Sequence, residues 1–462
     1  MKLGSVWNHK RFGSALSQCL LKRTFTVLAV VSFGICFSKV VDDPFAGIAT
    51  AAGPSPDTKT EELENNSAVL VSNQVNPIGS DIFSAEEELS TLTGGEIFPA
   101  ESLERINLTR LGNKVILNEM PKFSSQHNGK VLGISHKNEF VFYTIEPELQ
   151  RYAEELVRKA DAPHVAIVAM DPDSGKILAI AEKSNSIKNL SLHSGFPAAS
   201  LFKIITTAAA LEKTTIEPSS VIKFRGGTYT LNKWNYAPDK RKDKRAMTVY
   251  EALGRSCNAV FGRIALNHLS APALREYVSS FGFNMPIGFE HPLEESSAEI
   301  PEDDFGLSRT AAGFGDVFIS PVHAAALMSG IANEGLLPRP TVINEVVDGD
   351  GRILYKTHPE MLRRIVAGET ADKLLSMMES TTTVGTSRSE FYVKHKPVLP
   401  VSVAAKTGTL SGKNPKGLNH WFVAAAPISN PKIAVSVIVV TQGYSRTKAS
   451  RLGRQIIEKF LF

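Results

Sequence analysis

Cysteine is scarce: Cys19, Cys36 and Cys257 are the only three in 462 residues. They form neither a CxxC pair nor a Cys/His cluster, so no disulfide framework and no zinc site is suggested, and neither metal nor cofactor is expected. Charge of one sign is also lacking. A formal surplus of +4 is too slight to argue for nucleic acid as a partner. No internal repeat is present. What remains, 43% hydrophobic and 21% charged residues, is material for one large domain with smaller appendages and a sizeable core.

Two local absences organise the N-terminal part. Residues 1–41 contain no acidic side chain, although Lys2, Lys10, Arg11, Lys22 and Arg23 fall among them. Residues 24–38 then run for fifteen positions without a charge, extendable past Lys39 if its ammonium snorkels. That run is short for a membrane span of ~20 residues and long for the core of a secretory signal. The Ala-x-Ala site, Ala49-Thr50-Ala51, lies well beyond it, and Cys36 follows Ile35 rather than a small residue. An uncleaved anchor is therefore favoured over a cleaved signal or a lipoprotein leader. The expected order is a cytoplasmic basic tail at 1–23 and a membrane anchor at 24–41, with everything beyond it exported.

Residues 42–92 are rich in Asp, Glu, Ser, Asn, Thr and Pro and read as a flexible linker. Short apolar runs alternating with Gly and Asn over 93–142 suggest a small β-rich N-terminal module, or a collar on the main domain. From residue 143 onward the pattern changes. "EPELQRYAEELVRKA" places its apolar positions on one helix face. "HVAIVAMDPDSGKILAIAE" and "WFVAAAPISNPKIAVSVIVV" each read as strand, turn and strand, and "RTKASRLGRQIIEKFLF" as a closing helix. Strands at both ends with helices between them predict an α+β class whose antiparallel sheet is made from the two ends of the domain.

The chemistry sits in "FPAASLFKIITTAAALE", residues 196–212. SxxK occurs four times, at Ser200, Ser220, Ser429 and Ser445, and average composition predicts roughly two matches by chance. Only Ser200 opens a helical run, with Ile204, Ile205, Ala208 and Leu211 marking a buried face. Three residues apart, Ser200 and Lys203 share a face. A lysine on an inward face loses its charged form first, which makes it a base beside a hydroxyl: a nucleophile-and-base pair. Taken alone, the motif is more simply a capping serine with a solvated lysine. Two further motifs reverse that balance. Ser256-Cys257-Asn258 is the only SxN in the chain, 56 residues on, and Lys406-Thr407-Gly408-Thr409 carries the only KTG, 150 residues after Ser256. Chance supplies KTGT on the order of 0.01 times per chain.

In the order and spacing of these motifs the sequence resembles the penicillin-binding proteins, serine D,D-transpeptidases of the β-lactamase superfamily. "MDPDSGKILAIA", "AAGFGDVFISPVHAAALMSGIANEG" and "STTTVGTS" are similar to stretches of that domain, and the resemblance covers roughly 70% of the chain, residues 143–462. It implies a five-stranded antiparallel sheet flanked by helices, with a mainly helical subdomain. An anchor with no room for a glycosyltransferase resembles the monofunctional class B. The stretch before the domain is shorter than the class B pedestal, which puts pedestal contacts with cell-wall synthesis proteins in doubt.

The resemblance also assigns roles. Lys203 deprotonates Ser200, which attacks the penultimate D-alanine of a peptidoglycan stem, or a β-lactam. Ser256 relays a proton to the leaving amine and Asn258 orients the substrate amide. Lys406 places a second cation in the site and holds down the pKa of Lys203; Thr407 and Thr409 take the terminal carboxylate. The Ser200 and Thr409 backbone N–H groups make the oxyanion hole, and Gly408 lets substrate lie along the strand. Other classes fit the same motifs: a D,D-carboxypeptidase or β-lactamase-type hydrolase, and a non-catalytic penicillin-binding sensor. No Glu-x-x-x-Asn segment stands between Asn258 and Lys406, so slow hydrolysis is expected. Trp234 and Tyr236 are candidates for the cleft wall, with loop packing the better reading; the "DKRKDKR" run at 239–245 reads as a solvated loop before an anionic-polymer contact.

Overall fold

The structure, a computed structural model, describes residues 102–462. The expected tail, anchor and linker, and the first part of the 93–142 module, lie outside the described residues. Among the described residues no helix is long and apolar enough to cross a membrane.

Five strands form the central sheet: β1 (His164–Met170), β2 (Ile177–Ser184), β3 (Ala404–Lys413), β4 (Lys416–Ala426) and β5 (Ile433–Thr441). Their order is β3-β4-β5-β1-β2 and every pair is antiparallel. The two hairpins read from the sequence are thus joined through β5 and β1, the two ends of the domain meeting in mid-sheet. Every residue of β1 and of β5 is buried, because helices cover both faces. Alternation still sorts the side chains. Val165, Ile167 and Ala169 face one cluster with Leu149, Ala153 and Val157 of helix α1 (Pro147–Lys159); Ala166, Val168 and Met170 face the other.

That second cluster holds α2 (Phe202–Lys213), α3 (Asn258–His268) and α4 (Pro321–Ala332), while α5 (Ala449–Leu461) returns to the first through Leu452, Ile456 and Ile457. α2 is buried on all sides from Phe202 to Ala210, wider than the single face its spacing predicts, because it lies at the middle of the helical subdomain. The observed fold is the α+β arrangement that the resemblance implies.

Residues 102–142 form short strands, but their sheet is not their own. Phe140–Tyr143 pairs with Ile343–Val347, which pairs in turn with Ile353–Lys356, and Leu117 N–H donates to Glu290 O at 2.7 Å. The strand at 140–143 crosses the expected boundary between 142 and 143, and two of the five strands on the main sheet path come from residues 343–356. Sequence order hides this, since the partner strands are some 200 residues away.

Candidate active site

The helix that carries the candidate nucleophile Ser200 starts with a 3-10 turn, Ala199–Leu201, running directly into α2. Ser200 is half-buried at the floor of a cleft of ~630 Å3, whose lining includes Tyr229, Ser256, Asn258, Thr386, Thr407 and Thr409. Lys203 is 0% exposed. Its Nζ lies 2.8 Å from Ser200 Oγ, 2.8 Å from Asn258 Oδ1 and 2.5 Å from Ala312 O. Two of those neighbours can only accept. A neutral amine gives its two N–H groups to them and turns its lone pair to the hydroxyl. Asn258 is set for this by donating Nδ2 to Tyr229 O at 2.6 Å. Burial pushes the Lys203 pKa well below that of a free lysine, and the charge of Lys406 adds to the shift.

Lys406 is also 0% exposed and donates to Ser256 Oγ at 3.1 Å and Thr407 O at 2.8 Å. Its pKa is pushed down to about 7 by burial. Ser256 stands at φ +54° and Ala199, just before the nucleophile, at φ +51°. Such conformations cost ~1–3 kcal/mol each and persist where the surroundings enforce them. Here Ser256 ends the turn before α3, with Asn258 N–H donating to Thr228 O at 2.8 Å.

Strand β3 is the edge of the sheet and carries Lys406, Thr407, Gly408 and Thr409 along the cleft. Thr407 Oγ1 lies 2.5 Å from Thr386 Oγ1. Gly408 also answers a packing demand. A Cβ there would meet Ala199 Cβ at 3.2 Å, Ala198 O at 3.3 Å and Trp421 Cβ at 3.3 Å. Its missing side chain points at the turn that carries Ser200, so the strand packs closely against that turn. Trp421, buried, donates Nε1 to Pro197 O at 2.9 Å and ties β4 to the same segment.

Of the eight predicted residues, Ser200, Ser256, Asn258, Thr407 and Thr409 line one cleft, Lys203 and Lys406 are buried against Ser200 and Ser256, and Gly408 packs on the Ser200 turn. Trp234 and Tyr236 are absent from the cleft wall. Trp234 stands under the Arg225 guanidinium, 5.5 Å from its ring centroid, and Tyr236 packs edge-on to Phe305. The aromatics that line the cleft are Tyr229, Trp421 and Tyr444; Tyr229 stands five residues before Trp234, and nothing in its sequence surroundings distinguishes it. Thr386, Ala312 and Gly313 were also missed, although all three sit in stretches similar to the transpeptidase domain. His420 lines the cleft opposite Thr409 in register, its pKa lowered by burial. No carboxylate lines the cleft among the described residues. Of the other SxxK serines, Ser220 accepts from Glu217 N–H in a turn and Ser429 is exposed in the loop after β4.

A buried lysine whose charged form is disfavoured, facing a serine hydroxyl with a second Ser/Lys pair beside it, is the arrangement of a serine acyl-transfer site. Residues 165–458 match the penicillin-binding protein transpeptidase domain, and the chain belongs to that family as a class B penicillin-binding protein. It is 29% identical over 340 residues to the peptidoglycan D,D-transpeptidase PbpA of Mycobacterium tuberculosis, covering 64% of this chain and 67% of that protein. The crystal structure of PBPA from that organism superposes with a TM-score of 0.57 at 25% identity, over 72% of this chain and 83% of that one. The penicillin G acyl-enzyme complex of the same protein gives 0.54 at 27% identity, over 72% and 81%.

Proposed function

We propose that this chain is a peptidoglycan D,D-transpeptidase that cross-links stem peptides through an acyl-enzyme on Ser200. The observation that carries the reading is the neutral-prone, fully buried Lys203 2.8 Å from Ser200 Oγ. Lys203 takes the hydroxyl proton as Ser200 attacks the carbonyl of the penultimate D-alanine. The peptide bond breaks, and the terminal D-alanine leaves as an amine with a proton relayed through Ser256. Backbone N–H groups of Ser200 and Thr409 stabilise the oxyanion, and Thr407 and Thr409 hold the departing carboxylate. An amine from a neighbouring stem attacks the ester, returns its proton through the same groups and frees Ser200. Asn258 has two tasks: its oxygen holds the base, and its Nδ2, which gives one N–H to Tyr229 O, keeps the other for the substrate amide.

The N-terminal segment anchors the protein in the inner membrane with the catalytic domain on the outer side. Support comes from the basic flank and the uncharged run of residues 24–38. Protease added to spheroplasts digests the domain and spares the extreme N-terminus; a soluble protein beginning after Ala51 would overturn the anchor.

The decisive test is product analysis with a stem-peptide donor, with and without an acceptor amine. A cross-linked product supports transpeptidation; release of D-alanine alone, whatever the acceptor, moves the protein to the carboxypeptidases. Labelled penicillin attaches to Ser200, and Ser200→Ala removes the label. With no carboxylate in the cleft to activate water, the adduct loses a general-base contribution of about 100-fold to 10,000-fold and lasts minutes to hours. Rapid turnover of a chromogenic cephalosporin, lost in Ser200→Ala, would make it a β-lactamase.

A further inference from the structure

The segment from Arg225 to Arg245 carries seven basic and two acidic side chains, whereas the whole chain has a surplus of only +4. It joins two short antiparallel strands, Val221–Phe224 and Arg245–Thr248, and bulges out between them. Its two acids are engaged. Asp243 is buried between Arg225, at 3.0 Å, and the fully buried Arg263, at 3.2 Å; Asp239 pairs with Lys242 at 3.4 Å. Lys233, Lys240, Arg241 and Lys244 are left exposed. The nearest acidic stretch is reached through the Tyr236–Phe305 contact; there Asp303 caps a helix, Glu302 pairs with Arg275, and Asp304 remains.

Two aromatics stand among these cations. Trp234 is 61% exposed with Arg225 against its ring, and Tyr229 is 65% exposed at the wall of the cleft. The loop is held in shape rather than loosely draped. Besides the buried Asp243 pairs, Arg225 donates to Trp234 O, Asn235 Nδ2 to Thr230 O at 3.0 Å, and Asp239 N–H to Asp243 Oδ2 at 2.9 Å. One end of this ordered basic surface is therefore the cleft wall itself, and the other lies outside the catalytic machinery.

We propose that this loop is a docking platform for the polymeric substrate, taking the carboxylates and sugar faces of a peptidoglycan strand while one of its stems occupies the cleft. The proposal rests on the transpeptidase reading and extends it from the reacting peptide to the polymer. Cations interleaved with exposed aromatic rings suit a polymer that alternates carboxylates with pyranose rings, whose C–H faces stack on aromatic faces. Fixed cations beside the cleft raise the local concentration of such a strand and leave a small β-lactam unaffected, because the reacting groups lie on other elements.

The test uses the full chain in detergent and the variant Lys240→Glu/Arg241→Glu/Lys244→Glu. Sedimentation with purified peptidoglycan sacculi at low salt is expected to weaken roughly tenfold in the variant, and wild-type retention to fall as salt rises. Sacculi with chemically amidated carboxylates should bind the wild type as poorly as untreated sacculi bind the variant. Labelling of Ser200 by penicillin should proceed equally in both. Equal retention of variant and wild type, with penicillin labelling intact, overturns the platform while the transpeptidase reading stands. A loss confined to vesicles of phosphatidylglycerol assigns the loop to a lipid surface and overturns it too. A fall in penicillin labelling shows the loop acting through the catalytic geometry, which is a third overturning result; Trp234→Ala, which leaves the charges in place, is expected to weaken sacculus retention without changing the labelling.

Discussion

Gly313→Ala probes how the nucleophile's turn is held. Gly313 stands at φ +91°, and a Cβ there would lie 2.2 Å from Ala199 O, 2.5 Å from Ala199 C and 2.9 Å from Ser200 N. The atoms met are the backbone of the nucleophile and of the residue before it, which no side-chain rotation can move aside. Relief needs a displacement of ~1 Å to restore ordinary contact. It has two directions. Pushing Ala199 away shifts Ser200; pulling residue 313 back shifts Ala312, whose carbonyl receives Lys203 Nζ at 2.5 Å. Either way nucleophile and base part. A misplacement of this size costs about 100-fold in rate, and the strained backbone costs about 1–3 kcal/mol of stability. The assay is the second-order rate of Ser200 labelling by fluorescent penicillin, alongside thermal unfolding. Gly335→Ala serves as the control, since Gly335 has φ +78° and a Cβ there would lie 2.2 Å from Val366 O, away from the cleft lining. It should lose similar stability and keep its labelling rate within about twofold. Near-normal labelling in Gly313→Ala, or an equal fall in both variants, would refute the reasoning.

Lys406→Met removes the charge that helps hold the Lys203 pKa down, so less Lys203 is neutral at a given pH and the acid limb of the labelling-rate profile moves to higher pH. The same variant should be more stable. The folded pKa of Lys406 is about 7 against ~10.4 for a free lysine, so between those values the unfolded chain binds more protons and wild-type stability rises with pH. The buried amine therefore costs most below pH ~7, and there the variant should gain on the order of 1–3 kcal/mol in denaturant unfolding. A loss of stability at pH 6 would contradict this. Asp243→Asn leaves the Arg263 guanidinium buried without its carboxylate, and urea unfolding should show a loss of about 3–5 kcal/mol; a loss under about 1 kcal/mol would mean that the pair is hydrated.

Much of the site was legible because its chemistry is written in short motifs at fixed spacing. Ser200 and Lys203 lie one helical turn apart, and a helix of that composition brings them together in any fold that buries it. Ser256, Asn258 and the Lys406–Thr409 stretch were found by rarity and order, without any local rule that places them near Ser200. Gly408 shows the limit of that approach. Glycine on an edge strand suggests room for a ligand, and only the packed structure reveals that a Cβ there would also press on Ala198, Ala199 and Trp421. The aromatics of the cleft wall were not legible for a similar reason. Tyr229, Trp234 and Tyr236 share one loop, held in shape by Asp243 pairing with Arg225 and Arg263, residues that no local pattern pairs.

The sequence by itself determined the two hairpins, the helices at either end of the domain and which residues are candidates for the reacting groups, because periodicity, turn chemistry and motif spacing are local properties. Only the tertiary structure decided that Lys203 is wholly buried between Asn258 Oδ1 and Ala312 O, that Lys406 stands beside Ser256, and that the early strands borrow partners from residues 343–356. The reason is physical: desolvation and charge coupling depend on every element that closes around a group. Those elements come from positions separated by 55 to 150 residues, a distance over which nothing in the local pattern carries information.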